Sequence, residues 1–158
     1  MDSEQLKQRG FLRWFSFTDH SVGKAPEQPG VYLLRKAQGV RFGRLRGESD
    51  ILYIGSTEAK GGLKQRLGQY LHPGPTQWTN LRISALSKKH EMEVAWHPCN
   101  EPGNFEHQLL QEYFKEHDEL PPLNHAGKRL LKKVFSETVR VNAHFSVTKS
   151  SGATAKNG

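Results

Sequence analysis

GVYLL at residues 30–34 and ILYIG at residues 51–55 are two short apolar runs that predict the central strands of the fold. Both runs contain β-branched and aromatic residues, which suit extended backbone. Their apolar side chains occupy odd and even positions alike, whereas a strand with one face in water would alternate. The runs therefore predict a sheet that is covered on both faces, and the connection between them is short enough for antiparallel pairing.

Apolar spacing also predicts the elements that follow these two strands. Residues 63–71 carry apolar side chains at i, i+4, i+7 and i+8, the stripe of an amphipathic helix. A second helix is predicted over residues 78–88, with Leu81 and Ala85 facing inward. Alternation over residues 92–96 predicts a third strand, which we expect near an edge of the sheet.

The order of these elements predicts an α+β fold with a small three-stranded, mainly antiparallel sheet that is flanked by helices on both sides. Within the first part of the chain, the Gly and Pro residues between Thr18 and Pro29 predict a loop. We expect four parts: an N-terminal arm that packs on the domain (1–29), a core domain (30–124), a basic C-terminal extension (125–145) and a disordered tail (146–158).

Length and composition limit the classes of protein that are possible. The chain has 158 residues, 35% hydrophobic and 25% charged, which predicts one domain with a modest core. It has no run of about 18 apolar residues and no basic and apolar start typical of a secretory signal, so we expect a cytoplasmic protein without a membrane partner. The single cysteine, Cys99, excludes an intramolecular disulfide and a cysteine-rich zinc site.

Charge is distributed unevenly along the sequence. The formal net charge is +7, but residues 24–89 sum to +8, residues 90–119 to −7 and residues 128–140 to +4. Such segregation predicts a basic surface for a polyanion, with DNA as the expected partner; a cationic protein that meets nucleic acid only nonspecifically is the alternative. The basic residues predicted to contact DNA are Arg35, Lys36, Arg41, Arg44, Arg46, Lys64, Lys128, Arg129, Lys132 and Lys133.

One glutamate lies where a carboxylate is costly. Asn104 is the predicted N-cap of a last helix, over residues 105–117, and successive residues of a helix turn by about 100°. This rotation places Glu106 in the middle of the apolar face, whereas Glu112 points away from it. Two interpretations are open. Glu106 is either a solvated residue of the first turn, favoured there by the helix dipole, or an inward carboxylate that needs a cation or several donors.

Other polar side chains are also open to two interpretations. Arg66 and Tyr70 are neighbours on one helix face, so Arg66 either presents its guanidinium toward the sheet or lies along the edge of the apolar stripe. Tyr32 and Tyr53 lie centrally in the two predicted strands. They are either core aromatics or, if the register allows, members of a site on one face.

Taken together, these residues occur in an order that resembles a known family. The chain contains Gly30-Val31-Tyr32, then Tyr53-Ile54-Gly55-Ser56, then the helix with Arg66 and Tyr70, then Glu106 followed by Leu109 and Leu110, then Pro121-Pro122-Leu123-Asn124. These five elements resemble the core of the GIY-YIG nuclease family, with Val31 in place of the isoleucine of the first signature. The resemblance covers residues 30–124 and makes this part the expected catalytic core.

The resemblance implies hydrolysis of DNA phosphodiester bonds with one divalent metal ion, Mg²⁺ or Mn²⁺, and no small-molecule cofactor. Such an ion keeps most of its waters and needs few carboxylates, and a tyrosine with a pKa near 10 needs nearby positive charge to act as a base. The resemblance implies that Glu106 is a metal ligand and that Arg66 stabilises the attacked phosphate. It implies that Tyr32 and Tyr53 position or deprotonate the attacking water and that Asn124 supports the site. Tyr70, the remaining catalytic candidate, occupies a position where the family has either tyrosine or histidine.

Three alternatives stay open at this point. The basic residues 35–50 lengthen the spacing between Tyr32 and Tyr53, and they form either a DNA-contacting wing or an elaborated loop. The long segment after Phe114 also allows Glu112 to be aligned as the metal ligand, although the helical face favours Glu106. The alternative function is a DNA-binding module of the same fold with little or no catalytic turnover.

Overall fold

A computed structural model describes Met1 and residues 3–124, which form an α+β fold around an antiparallel sheet. The helices are α1 (Ser3–Gln8), α2 (Asp19–Val22), α3 (Gly62–Leu71), α4 (Trp78–Lys89) and α5 (Pro102–His117). The strands are β1 (Phe15–Ser16), β2 (Gly30–Lys36), β3 (Phe42–Gly43), β4 (Glu48–Ser49), β5 (Ile51–Thr57) and β6 (Met92–Pro98).

The main sheet has four strands in the order β1-β6-β2-β5, so the prediction of three strands is wrong by one. The predicted antiparallel pairing of the two apolar runs is confirmed, with Tyr32 opposite Gly55 and Leu34 opposite Tyr53. The additional strand, β1, comes from the N-terminal segment, where the apolar residues have no clean period. It pairs with β6, which therefore lies inside the sheet rather than at its edge.

Both faces of the sheet are covered, as the unbroken apolar runs predicted. On one face, Val31 and Leu33 pack with Leu109 of α5. On the other face, Tyr32 and Leu34 pack in one cluster with Leu63, Leu67 and Tyr70 of α3 and Ile83 of α4. Because side chains alternate along a strand, β2 separates one layer formed by α5 from another formed by α3 and α4.

Several local predictions need correction. Helix α5 begins at Pro102, with Glu101 as its N-cap, because proline suits the first turn, whose amides have no partner within the helix. Asn104 therefore lies inside the helix and is not its N-cap. In α4 the buried residues include Ile83, whereas Ala85 is exposed. The region that was predicted as a loop contains α2, whose first turn is capped by the hydroxyl of Thr18.

The basic residues between β2 and β5 form the hairpin β3–β4, and this hairpin contacts the C-terminal end of α5. Arg46 donates from Nε to the main-chain oxygen of Glu116 at 2.8 Å, and Arg44 donates to the main-chain oxygen of Leu120 at 2.6 Å. Arg44 also pairs with the carboxylate of Glu119 at 2.9 Å. The last carbonyls of a helix lack partners within it and carry partial negative charge, so Arg46 stabilises the end of α5, whereas Arg44 binds the segment that follows the helix.

Within the part of the chain that the structure describes, no helix is both long and apolar enough to cross a membrane.

Candidate active site

Three tyrosine side chains meet on the α3 face of the sheet. The ring of Tyr32 lies 6.2 Å from that of Tyr53 and 5.9 Å from that of Tyr70, and the rings of Tyr53 and Tyr70 lie 6.0 Å apart. The hydroxyls of Tyr32 and Tyr70 are hydrogen-bonded at 2.7 Å. The strand register explains the meeting, because Tyr53 faces Leu34 and therefore lies on the same side of the sheet as Tyr32.

Gly55 allows this close approach. A Cβ atom built at Gly55 would lie 2.5 Å from the hydroxyl oxygen of Tyr32 and 2.6 Å from Cε1 of Tyr53. Such distances are far inside van der Waals contact, so any larger residue would displace the tyrosines. The glycine of the second apolar run is thus required by side-chain packing across the strands.

Arg66 lies beside the tyrosines and is half-buried. Its Nε donates to the hydroxyl of Tyr32 at 3.3 Å, and its Nη1 donates to Oε1 of Gln69 at 3.1 Å. The guanidinium carbon is 4.8 Å from the ring centroid of Tyr70, in a cation–π contact. These three contacts hold the guanidinium against the tyrosine cluster, as expected for a residue that presents its charge toward the sheet.

Glu106 approaches from α5 and is partly buried, as the helical rotation predicted. Ser56, on the α5 side of β5, donates a hydrogen bond to its carboxylate. Burial raises the pKa of Glu106, and the Ser56 hydrogen bond and the positive charges of Arg66 and His107 offset this rise only in part. The charge of Arg66, on the α3 face of the sheet, acts on Glu106 from across β5 and compensates the carboxylate only in part.

Glu112 lies in a different environment. Its carboxylate pairs with Arg9 at 2.5 Å, and 42% of its side chain is exposed. Leu109 and Tyr113, which lie on the same face of α5 as Glu106, are completely buried. The direction of the α5 faces thus separates the two carboxylates, and Glu106 is the one that interacts electrostatically with Arg66 and Tyr53.

Asn124 binds the main chain of β5. Its Oδ1 accepts from the amide of Ile54 at 2.9 Å, and its Nδ2 donates to the oxygen of the same residue at 2.7 Å. The amide of Leu123 also donates to the oxygen of Leu52 at 3.0 Å. The segment before Asn124 therefore covers the open edge of β5 and supports the backbone between Tyr53 and Gly55.

The three tyrosines are protonated at neutral pH. Burial raises the pKa of Tyr32, Tyr53 and Tyr70 well above the ordinary value, and the charge of Arg66 acts in the opposite direction without outweighing burial. Arg66 therefore lowers the pKa of each tyrosine by less than burial raises it. In this state the hydroxyls serve as hydrogen-bond donors and acceptors.

Glu106 is the carboxylate among the site residues named above, and a carboxylate is the ligand type that a hard divalent cation prefers. Among residues 3–124, no group of three His, Cys, Asp or Glu side chains converges as a metal-binding cluster. Mg²⁺ nonetheless needs only one or two protein carboxylates, because it retains several waters. A partly buried carboxylate with a raised pKa is also an oxygen ligand that a cation would stabilise. Glu106 is thus the residue that would hold such an ion.

Most of the basic side chains predicted to contact DNA have partners inside the protein. Arg35 pairs with Glu93 at 2.7 Å and with Asp50 at 3.2 Å. Further ion pairs are Arg41–Glu48, Arg44–Glu119, Arg46–Asp118 and Lys64–Glu27, and the ammonium of Lys36 lies 5.8 Å from the ring centroid of Phe42. Lys128, Arg129, Lys132 and Lys133 lie outside the described residues. DNA contact by these ten residues stays a prediction.

Ser56 and Gln69 belong to the site but had no assigned role in the sequence analysis. The alternation of side chains along a strand could have predicted the place of Ser56. It puts this residue on the opposite face from Tyr53 and Gly55, on the side of the helix that carries Glu106. Gln69 follows Arg66 by three residues on α3, the spacing at which helical side chains meet.

Comparison of the chain with protein-family models, curated proteins and solved structures found no match.

Proposed function

We propose that the protein is a metal-dependent endonuclease of the GIY-YIG type, which hydrolyses DNA phosphodiester bonds with Mg²⁺ or Mn²⁺ held at Glu106. The main support is the position of Glu106, a partly buried carboxylate that accepts a hydrogen bond from Ser56 and interacts electrostatically with Arg66 and Tyr53 across β5. A carboxylate, a guanidinium and several phenols around β5 suit the reacting groups of phosphodiester hydrolysis. The order of the sequence motifs over residues 30–124 supports the same class.

Each residue contributes a separate part of this chemistry. Arg66 binds the attacked phosphate, since a guanidinium can donate two parallel hydrogen bonds to its oxygens and stabilise charge that develops there. Glu106 holds the metal ion, which when bound stabilises negative charge on the phosphate and the leaving oxygen. Asn124 keeps the backbone of Tyr53 in place, and Ser56 fixes the direction of the carboxylate.

Among the tyrosines, Tyr53 is the one we assign to the attacking water. Tyr32 and Tyr70 are completely buried, and their hydroxyls are bonded to each other, whereas Tyr53 is partly exposed. The negative charge of Glu106 contributes to the raised pKa of Tyr53, which supports a position near the carboxylate. Tyr53 therefore orients the water by hydrogen bonding, and Tyr32 and Tyr70 position Tyr53 and Arg66.

The test is nicking of supercoiled plasmid by the purified 158-residue chain with Mg²⁺. Glu106→Gln is expected to abolish nicking while its circular dichroism spectrum stays that of the wild type. Glu112→Gln, on the same helix, removes an equivalent charge outside the site and is expected to nick normally. Wild-type nicking by Glu106→Gln would contradict the proposal, and loss of nicking only in Glu112→Gln would transfer the ligand role to that residue.

The alternative is a DNA-binding module that retains this fold without turnover. The raised pKa of all three tyrosines favours it, because none of them is a base near neutral pH in the protein alone. Salt-sensitive binding to duplex, branched and single-stranded DNA, with no metal-dependent cutting of any of them, would support the module over the enzyme.

A further inference from the structure

The exposed side of α4 combines an aromatic ring with positive charge. Trp78, at the start of the helix, is 80% exposed. The other two tryptophans contact side chains of the protein. The guanidinium of Arg35 lies 4.0 Å from the centroid of the Trp14 ring, and the Phe15 ring stacks on Trp96 with 4.3 Å between centroids. A single exposed apolar side chain is common on protein surfaces, so the neighbours of Trp78 decide whether it belongs to a binding surface.

The sequence on either side of Trp78 is basic. Residues 59–90, which include α3 and α4, contain six lysines and arginines and neither aspartate nor glutamate. The stretch, which Glu58 and Glu91 border, therefore carries an excess of six positive charges. Within this stretch, Lys64 of α3 pairs with Glu27 at 2.9 Å.

The exposed residues of α4 form a stripe. At about 100° per residue, Trp78, Arg82, Ala85 and Lys89 fall within about 60° of one another, and all four are exposed. With a rise of about 1.5 Å per residue, the stripe is about 16 Å long. It therefore presents an aromatic ring at one end, a cation at the other and a small residue between them.

We propose that this stripe, Trp78-Arg82-Ala85-Lys89, binds a nucleic-acid strand with an unpaired base, which stacks on the indole of Trp78 while the cations contact phosphates. This inference rests on the proposed endonuclease function and names the form of its substrate. Aromatic side chains stack on unpaired bases of any sequence, and a positive groove or stripe follows the backbone. Helix α4 packs on α3, which carries Arg66 and Tyr70, so the stripe lies on the same side of the sheet as these two residues.

The test is binding of a labelled single-stranded oligonucleotide and of its duplex, measured by fluorescence anisotropy with EDTA present to prevent cleavage. Trp78→Ala is expected to weaken single-strand binding about tenfold, and Trp78→Phe to restore most of it, because a phenyl ring also stacks. Lys89→Ser is expected to reduce the slope of log affinity against log salt by about 0.7. Leu12→Ala, which removes another exposed apolar side chain, is the control and is expected to bind normally.

The possible results distinguish failure of the proposed α4 binding surface from failure of the proposed endonuclease function. Nicking by the wild type together with full single-strand affinity in Trp78→Ala would overturn the surface and leave the endonuclease in place. Binding that depends on Trp78 without nicking by the wild type would retain the surface and remove the endonuclease. A lower melting temperature for Trp78→Ala with unchanged binding, or weakened binding that Trp78→Phe does not restore, would also overturn the surface.

Discussion

The hydroxyls of Tyr32 and Tyr70 are hydrogen-bonded at 2.7 Å, in a completely buried position between β2 and α3. Arg66 donates to the same oxygen of Tyr32, so one phenol joins the strand, the helix and the guanidinium of the candidate site. A buried hydrogen bond of this kind is costly to break on one side, since the remaining polar atom is left without a partner.

Replacement of Tyr32 by phenylalanine is expected to lower the unfolding free energy by about 1–3 kcal/mol at pH 8, because it leaves the Tyr70 hydroxyl and Arg66 Nε without their common partner. The same substitution is expected to make the loss of unfolding free energy at alkaline pH less steep. The raised pKa of Tyr32 gives stability that is complete below pH 10.0, the ordinary value, and is lost as pH rises above it. Urea unfolding of the wild type and the variant from pH 8 to 11 measures the unfolding free energy of each. An equally steep fall of this free energy with pH in the variant would contradict the contribution of Tyr32.

Ser56→Ala is expected to raise the Mg²⁺ concentration needed for half-maximal nicking by about tenfold, because residues that orient a ligand commonly change metal affinity by that factor. Since the Ser56 hydrogen bond lowers the pKa of Glu106, its loss also moves the acidic limit of nicking to higher pH. Ser56→Thr retains the hydroxyl and serves as the control. Identical Mg²⁺ and pH dependence in Ser56→Ala would exclude this positioning role.

Arg44→Ala is expected to cost about 2 kcal/mol of unfolding free energy, because its side chain is only 8% exposed and donates to the main chain just after α5. Arg41→Ala, in the same hairpin but 58% exposed, is expected to cost less than about 0.5 kcal/mol. Chemical denaturation of the two variants tests whether the hairpin stabilises α5. Equal, small losses in both variants would instead favour a solvated basic wing.

Acid is expected to destabilise the protein through His117. Its Nδ1 bonds to the main-chain oxygen of Arg46, and its buried Nε2 has no hydrogen-bond partner among the described residues. Burial lowers the pKa of His117; the Arg46 hydrogen bond opposes this, and the N-terminus, Arg44 and Arg41 lower it further. The carboxylate of Glu116, 3.6 Å from Nε2, is the acidic group that faces it.

The sign of this effect follows from the direction of the shift. A histidine with a lowered pKa binds fewer protons folded than unfolded, so its stability contribution is complete above pH 6.5, the ordinary value, and falls below it. We expect the unfolding free energy to decline from pH 7 toward pH 5, and to decline less in His117→Gln. A variant with the wild-type pH dependence would assign the decline to other groups.

Local patterns in the sequence were sufficient for much of the framework. The runs at 30–34 and 51–55 predicted β2 and β5 and their antiparallel pairing, and the apolar stripe at 63–71 predicted α3. These predictions succeeded because the period of apolar side chains is set by the backbone geometry of a single element. The same rotation correctly placed Glu106 toward the interior and Glu112 away from it.

Contacts between distant elements were decided only in the folded chain. Strand β1 has two residues and no period of its own, so pairing with β6 is what defines it. Arg46 of the hairpin binds the end of α5, and this arginine and its carbonyl partner are 70 residues apart. A guanidinium has the same sequence signature whether it meets a carbonyl, a carboxylate or a phosphate, because its chemistry suits all three. Which of them it meets depends on the atoms that folding brings within hydrogen-bond distance.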